Sequence, residues 1–452
     1  RPPRSTLFPY TTLFRSCKAI SEYFFENLKK INNNKVFLYL EDEKITYKQI
    51  REKCYSFIFS IIKKGLLDYN FYISSSLPET VIVSFLALNY INKDVYIISD
   101  NVKLLLFDDA SKSDEKIVFI TDNEDFYSSF DKSVNTSVEN RYIYYFESFV
   151  NKNYDEKKLT EYLSTVIERY SSLIQFTSGT TGRPSKIIRT KKSCNVEGID
   201  LVKIWEYDSD SRVACFTPFS YSFAFGNVII ACILASASII SCKKFNIKNV
   251  CLMLKKYNAT HFVTVVSIIK LLLIQKDKQE LSFLKYLICS GSKLNKRDEC
   301  RFHRKFKVHI SEQYGMTETG ALLYSYISKD YFMNSFPSVD CRIENNNLYI
   351  TRKNTNLQEI KTNDYVIKKK KNYIKIVGRM DSVLKLDDKR YSVEYISSLF
   401  ANEDYLTIAK KLLSNKSIVL NYNKENKQNV KNVVSELKKL DSSIKIKRKI
   451  IK

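Results

Sequence analysis

Glycine and proline are scarce in this chain, with nine and seven among 452 residues. Low-complexity linkers and internal repeats are absent from the pattern, so a chain of folded domains is the reading. Tryptophan occurs once, and histidine three times, at His261, His303 and His309. None of the three has a second His or Cys at metal-ligand spacing, which leaves them packing or surface roles. The ten cysteines run from Cys17 to Cys341 without a CxxC pair. That excludes a patterned metal site or disulfide framework and points to free thiols in a reducing cytosol. Long apolar runs are missing too. The longest, Val228 to Ile240, falls short of the ~20 residues of a spanning helix and reads as a buried helix or strand pair. No stable membrane insertion is expected, and no signal peptide is evident.

What is present is ordinary in amount: 44% hydrophobic and 27% charged residues, in a length that suggests about two or three domains. The formal charge is +24. Its lysines are scattered, with short runs only at Lys368 to Lys371 and Lys445 to Lys452. Abundant Lys, Asn, Ile, Tyr and Phe match an AT-rich coding bias. A nucleic-acid partner would call for a basic stripe and a binding module, and neither is found. The first sixteen residues, RPPRSTLFPYTTLFRS, hold three of the seven prolines and no Lys, Asn or Ile. They read as a non-native leader, with a native tail as the other possibility.

From Cys17 onward, helix and strand patterns alternate. Helices are expected over Ala19 to Lys30, Thr46 to Lys64 and Glu79 to Ile91, and strands over Val36 to Leu40, Asn70 to Ser75 and Asp94 to Ile98. This alternation implies α/β architecture, a large layered N-terminal domain over residues 17–380. Residues 101–170 resist placement. A small, truncated-looking α+β domain is expected over 381–452, with helices at Val393 to Asn402 and Asn429 to Leu440 around a strand at Ser417 to Tyr422.

A strand candidate, Ser172 to Phe176, runs into Thr177-Ser178-Gly179-Thr180-Thr181-Gly182-Arg183-Pro184-Ser185-Lys186. Four hydroxyls and two glycines within six residues give short-range donors and a backbone free to approach phosphate oxygens. The spacing is not that of a Walker A loop. Further along come Thr217-Pro218-Phe219-Ser220-Tyr221-Ser222-Phe223-Ala224-Phe225-Gly226, then Ser290-Gly291 at the end of an apolar strand. Ser311 to Thr319, with Tyr314-Gly315-Met316-Thr317-Glu318, follows, then Thr362-Asn363-Asp364 and Gly378-Arg379-Met380-Asp381. Six of the nine glycines fall in these stretches, where backbone must turn sharply or approach a ligand.

In that order and spacing, the motifs resemble those of the adenylate-forming, acyl-CoA synthetase-like superfamily. The resemblance covers Cys17 to the end. It implies an enzyme that uses ATP and Mg²⁺ to convert a carboxylic acid to acyl-AMP and passes the acyl group to the thiol of CoA or a carrier protein's phosphopantetheine. By the resemblance, Thr177 to Gly182 hold phosphates and Ser290, Gly291 and Tyr314 receive adenine. Thr317 contacts the α-phosphate, Glu318 holds Mg²⁺ and Lys186 assists catalysis. Asp364 and Arg379 reach the ribose, Tyr221, Phe223, Ala224 and Gly226 wall the acyl pocket, and Asp381 is the hinge. Departures are Ser185 where the family has Lys, Tyr221 for His, Ala224 for Gly, Asn363 for Gly and Asp388 for Gly. The family's glycine-lysine stretch near the C-terminus is also absent after Gly378, and the basic end resembles the strand leading into it. Slow or absent adenylation is the expectation unless another lysine substitutes, and a non-catalytic nucleotide-binding relative is the rival reading. No Asp or Glu occurs from Ser211 to Lys276, which argues against an amino-acid substrate and for a fatty or aryl acid.

Overall fold

The computed structural model describes residues 18–99, 115–124, 141–150, 153–165, 171–177, 185–276, 280–327, 332–369 and 373–379. Beyond these it describes the backbone of five short strands and a few single positions after 382. The chain divides into two units. The first holds residues 1–327 with 336–338 and 353–356, and the second holds the remainder. The strands carrying Asp364 and Arg379 belong to the second unit.

Two sheets build the first unit. One runs β14-β13-β12-β11-β9-β10-β1-β2. Its strands are β1 (Val36–Leu40), β2 (Glu43–Thr46), β9 (Arg212–Cys215), β10 (Ser238–Ser241), β11 (His261–Val265), β12 (Tyr286–Ser290), β13 (Ile310–Met316) and β14 (Gly320–Ser325). Pairing is parallel from β1 through β13, and antiparallel at both ends, β1–β2 and β13–β14. The other sheet runs β6-β5-β3-β4-β7-β8, from β3 (Asn70–Ser74), β4 (Val95–Ile98), β5 (Ile117–Thr121), β6 (Arg141–Tyr145), β7 (Ser172–Thr177) and β8 (Ser185–Thr190). Only β7–β8 is antiparallel. Strands such as β4 and β5 are buried at every position, as continuous β-branched and aromatic runs in parallel sheets must be. The stretch that resisted placement contributes β5, β6 and a helix over Glu156–Thr165.

Local chemistry explains the helices. Over Tyr47–Lys63 the apolar residues Ile50, Cys54, Phe57, Ile58 and Ile61 share one face and are buried. Thr46 caps it. Its Oγ1 accepts from the Gln49 amide at 3.2 Å, while Gln49 Oε1 accepts from the Thr46 amide at 2.8 Å, a reciprocal capping box. The helix Pro78–Tyr90 starts with Pro at its first turn, where a missing N–H costs nothing. The apolar run after Val228 proves to be helix and then strand. Ser222–Ala224, a π segment over Phe225–Ile230 and Ala231–Ala235 follow end to end. Ser236 closes the helix at φ +58° and β10 follows.

In the second unit β15 (Asn334–Ser335) precedes an antiparallel sheet of β16 (Val339–Glu344), β17 (Asn347–Arg352), β18 (Ile360–Lys368) and β19 (Ile374–Arg379). After these come the β20 (Val383–Leu386) and β21 (Lys389–Ser392) hairpin and the three strands β22 (Thr407–Ala409), β23 (Ser417–Tyr422) and β24 (Lys445–Ile450). The strand expected at Ser417 to Tyr422 occurs with those bounds. The helix expected at Val393 to Asn402 lies outside the described residues, as does most of the one at Asn429 to Leu440.

Candidate active site

Strands β9, β11, β12 and β13 are parallel neighbours, so their C-terminal ends open on one edge of the sheet. Thr217 to Gly226 follow β9, Ser290 ends β12 with Gly291 just after it, and Tyr314 to Met316 end β13 with Thr317 and Glu318 in the turn that follows. Ligands of open α/β sheets bind at such an edge, beyond the carboxyl ends of the strands. The first-turn helix Ser222–Ala224 also touches β13 and β14.

The phosphate-loop candidate sits on the other sheet. Its flanking strands pair in register, Thr177 with Ser185 and Phe176 with Lys186, so the two ends of the loop are held side by side. Ser178, Gly179, Thr180, Thr181 and Gly182 lie outside the described residues. One bond ties this hairpin to the acyl-pocket candidate: Gln175 Nε2 donates to the Ser220 carbonyl at 3.2 Å. Lys186 Nζ donates to Tyr96 Oη at 3.3 Å and stands 4.8 Å above the Tyr96 ring.

Tyr221 precedes the helix and is 52% exposed, Ala224 and Gly226 are buried, and Phe223 is half-buried. Phe219 and Phe225 are core residues, with Phe225 edge-on to Phe85 at 4.9 Å.

Backbone demands at the edge are strict, at Gly291 and Gly315 as well as at Gly320, whose φ is +74°. Gly291 has φ +92°, left-handed backbone that a side chain rarely adopts. Gly315 has ordinary φ, but a Cβ there would lie 2.5 Å from the Gly320 carbonyl oxygen across the β13–β14 hairpin. The turn between those strands presents Thr317 and Glu318, both half-buried. Among the described residues no group of three or more His, Cys, Asp or Glu is placed to hold a metal. A single carboxylate with neighbouring hydroxyls suits Mg²⁺, which binds through one or two carboxylates and substrate phosphates.

Beneath this turn lies a pair that sequence reasoning missed. Arg189, on β8, and Glu197, on the helix Lys191–Ile204, are fully buried and joined at 2.6 Å between Nη2 and Oε2. Glu197 Oε1 also accepts from the Ala321 amide at 2.8 Å. A Cβ on Gly226 would come within 2.8 Å of that oxygen, and a Cβ on Gly320 would collide with it. The pair therefore braces the phosphate-loop hairpin, the pocket helix and the β13–β14 turn at one point. Arg189 Nε and Nη1 have no hydrogen-bond partner among the described residues. Burial works against the Arg189 charge, yet the Glu197 carboxylate raises its pKa. Glu197 also qualifies the acid-free stretch of Ser211 to Lys276: a carboxylate does reach Gly226, but Arg189 and Ala321 already engage it. The one signal in sequence was an acid amid the apolar positions Val196, Gly198 and Ile199.

His261 is a core residue. Nε2 lies 2.7 Å from the Trp205 carbonyl and Nδ1 2.8 Å from Thr260 Oγ1, and burial lowers its pKa to about 4.

In the second unit, Asn363 adopts φ +59°, a conformation asparagine tolerates where glycine would otherwise be needed. Thr362 to Asp364 lie within β18. Asp364 is buried, pairs in register with Arg379 on β19, and lies 3.6 Å from its Nη1. The same nitrogen donates to the Thr362 carbonyl at 2.9 Å. Asp381 lies outside the described residues.

A family profile described as AMP-binding enzyme matches residues 24–362. The 4-coumarate:CoA ligase 1 of Petunia hybrida is 27% identical over 161 residues, 33% of this chain and 29% of that protein. Across the curated relatives the matched stretch spans 13% to 29% of their length. Among solved structures, the anthranilate CoA ligase AuaEII in complex with anthranoyl-AMP aligns with TM-score 0.78 at 12% identity, over 96% of this chain and 93% of that one. O-succinylbenzoate coenzyme A synthetase, MenE, of Bacillus subtilis in complex with ATP and magnesium aligns with TM-score 0.74 at 12% identity, over 95% of both chains. At such identity the alignments speak for the fold, and the profile, over three-quarters of the sequence, speaks for the family: this chain belongs to the AMP-binding enzymes of the adenylate-forming superfamily.

Proposed function

We propose that this chain activates a fatty or aryl carboxylic acid with ATP and transfers the acyl group to the thiol of CoA or of a carrier protein's phosphopantetheine. The observation that carries the reading is the gathering of the segments after β9, β12 and β13 at one sheet edge, with Gln175 tying the phosphate-loop hairpin to the Thr217 to Gly226 segment. Relatives that are CoA ligases and structural neighbours bound to ATP or an acyl-adenylate support it.

In this reading a carboxylate oxygen of the acid attacks the α-phosphorus of ATP, the bond to the bridging oxygen breaks, and pyrophosphate leaves. The protein's share is positioning and fixed charge. Thr177 to Gly182 cradle the phosphates, Thr317 donates to the α-phosphate, and Lys186 supplies positive charge. Tyr314, Ser290 and Gly291 receive adenine. Asp364 and Arg379 are assigned to the ribose hydroxyls, and Tyr221, Phe223, Ala224 and Gly226 to the acid. Glu318 would hold Mg²⁺, which supplies charge neutralisation at the phosphates when bound. In a second step the thiol sulfur attacks the acyl carbon and AMP departs, with Asp381 as the hinge between the two steps.

ATP–pyrophosphate exchange across a panel of carboxylic acids tests the proposal. Exchange that depends on one class of acid is the expected result. ATP binding with Mg²⁺ but no exchange with any acid would leave a nucleotide-binding relative. Failure to bind ATP at all would remove the reading.

A further inference from the structure

We propose that the outer face of the helices Ile247–Lys256 and Val266–Ile274 docks on an anionic lipid bilayer. Both helices bury their inner sides in one hydrophobic cluster against the β9–β11–β12 region of the sheet, and they touch each other. Their outer sides therefore share a surface. On the first helix Leu252 is 54% exposed, and Lys248 and Lys255 lie four residues before and three after it, on the same face. On the second, Leu271 and Ile274 are one turn apart, with Ile274 71% exposed and Lys270 beside them. Phe245, just ahead of the first helix, is exposed as well. Four of the twelve exposed large hydrophobics among the described residues thus fall within residues 245–274.

The charge on this face has one sign. No acid occurs between Ser211 and Lys276, and Lys248, Lys255 and Lys270 make no ion pair among the described residues. Two neighbouring lysines do: Lys243 pairs with Glu43, and Lys256 with Asp42. These acids of the β1–β2 hairpin mark one border. Glu280 is exposed beyond the second helix, and Asp277 lies outside the described residues. Apolar side chains interleaved with lysines fit the headgroup boundary, where the aliphatic residues insert and the ammonium groups rise to phosphate. A protein interface fits less well, because lysine is depleted there. Among the described residues no helix is long and apolar enough to cross a membrane, so this is adhesion to a surface. The inference holds whether or not the chain adenylates an acid.

Flotation with vesicles tests it, using phosphatidylcholine alone or mixed with phosphatidylglycerol. The protein should float with mixed vesicles, stay behind with phosphatidylcholine, and release as salt is raised. Leu252→Glu with Ile274→Glu, and separately Lys248→Glu with Lys255→Glu and Lys270→Glu, should each weaken flotation at least about tenfold. Lys29→Glu with Lys63→Glu and Lys192→Glu makes the same charge change elsewhere and should leave flotation near wild type. Gln replacements at the same positions serve if a Glu set fails to fold. Three outcomes would overturn the idea: no binding to mixed vesicles, equal loss in the control set, or patch variants that float as wild type does. Capture of an acidic protein without vesicle binding would reassign the surface.

Discussion

Arg189 and Glu197 show how much a single charge pair can decide. Each is buried to within about a hundredth of its surface. Removing one member leaves the other charged and dry, which costs roughly 3–5 kcal/mol, whereas replacing both with apolar residues of similar size costs far less. Glu197→Gln should therefore lower urea stability by about 3 kcal/mol or more, and Arg189→Met with Glu197→Leu should recover part of that loss. A single variant within about 0.5 kcal/mol of wild type would mean the pair is not built as described. In sequence only Glu197, an acid amid apolar neighbours, hinted at the pair, and Arg189 gave no sign. Eight positions apart, on a strand and the next helix, they look like surface charges until burial is known.

At the scale of elements, the β13–β14 hairpin carries the strictest demand. Gly315 faces a backbone carbonyl, not a side chain that might rotate away. Gly315→Ala must open the hairpin, and overpacking of this kind costs about 1–3 kcal/mol. Because Tyr314, Thr317 and Glu318 ride on the same strand and turn, ATP affinity measured by calorimetry should fall at least about tenfold with it. Wild-type affinity in that variant would show that the turn does not contact the nucleotide. The motif and its glycine were readable in sequence because Tyr314-Gly315-Met316-Thr317-Glu318 is a contiguous string. The need for Gly320 was not: its φ of +74° and the Glu197 carboxylate that excludes a side chain there appear only in the fold.

For the molecule as a whole, cysteine placement offers a check on the core. Among the nine described cysteines, all free thiols, Cys54, Cys194, Cys215, Cys232, Cys251 and Cys289 are buried, Cys242 and Cys341 are partly so, and Cys300 is exposed. Burial also pushes thiol pKa values up, to about 12 at Cys215 and about 11 at Cys242 and Cys341, and a protonated thiol is a poor nucleophile. Ellman's reagent should label Cys300 quickly in the native protein and the six buried thiols only after denaturation. Rapid native labelling of those six, located by mass spectrometry, would contradict the core described here.

Short-range rules carried the sequence reading a long way. The capping box at Thr46, the buried run of β4, the strand Ser417–Tyr422 and the glycine-rich motifs are written in neighbouring residues, because backbone bonding and turn geometry act over a few positions. The meeting of the segments after β9, β12 and β13 at one sheet edge, the neutrality of His261 and the bracing of three elements by Glu197 came from long-range packing. Glu197 and Ala321 are 124 residues apart. Desolvation and charge pairing depend on which distant groups share a dry space, and no local pattern records that.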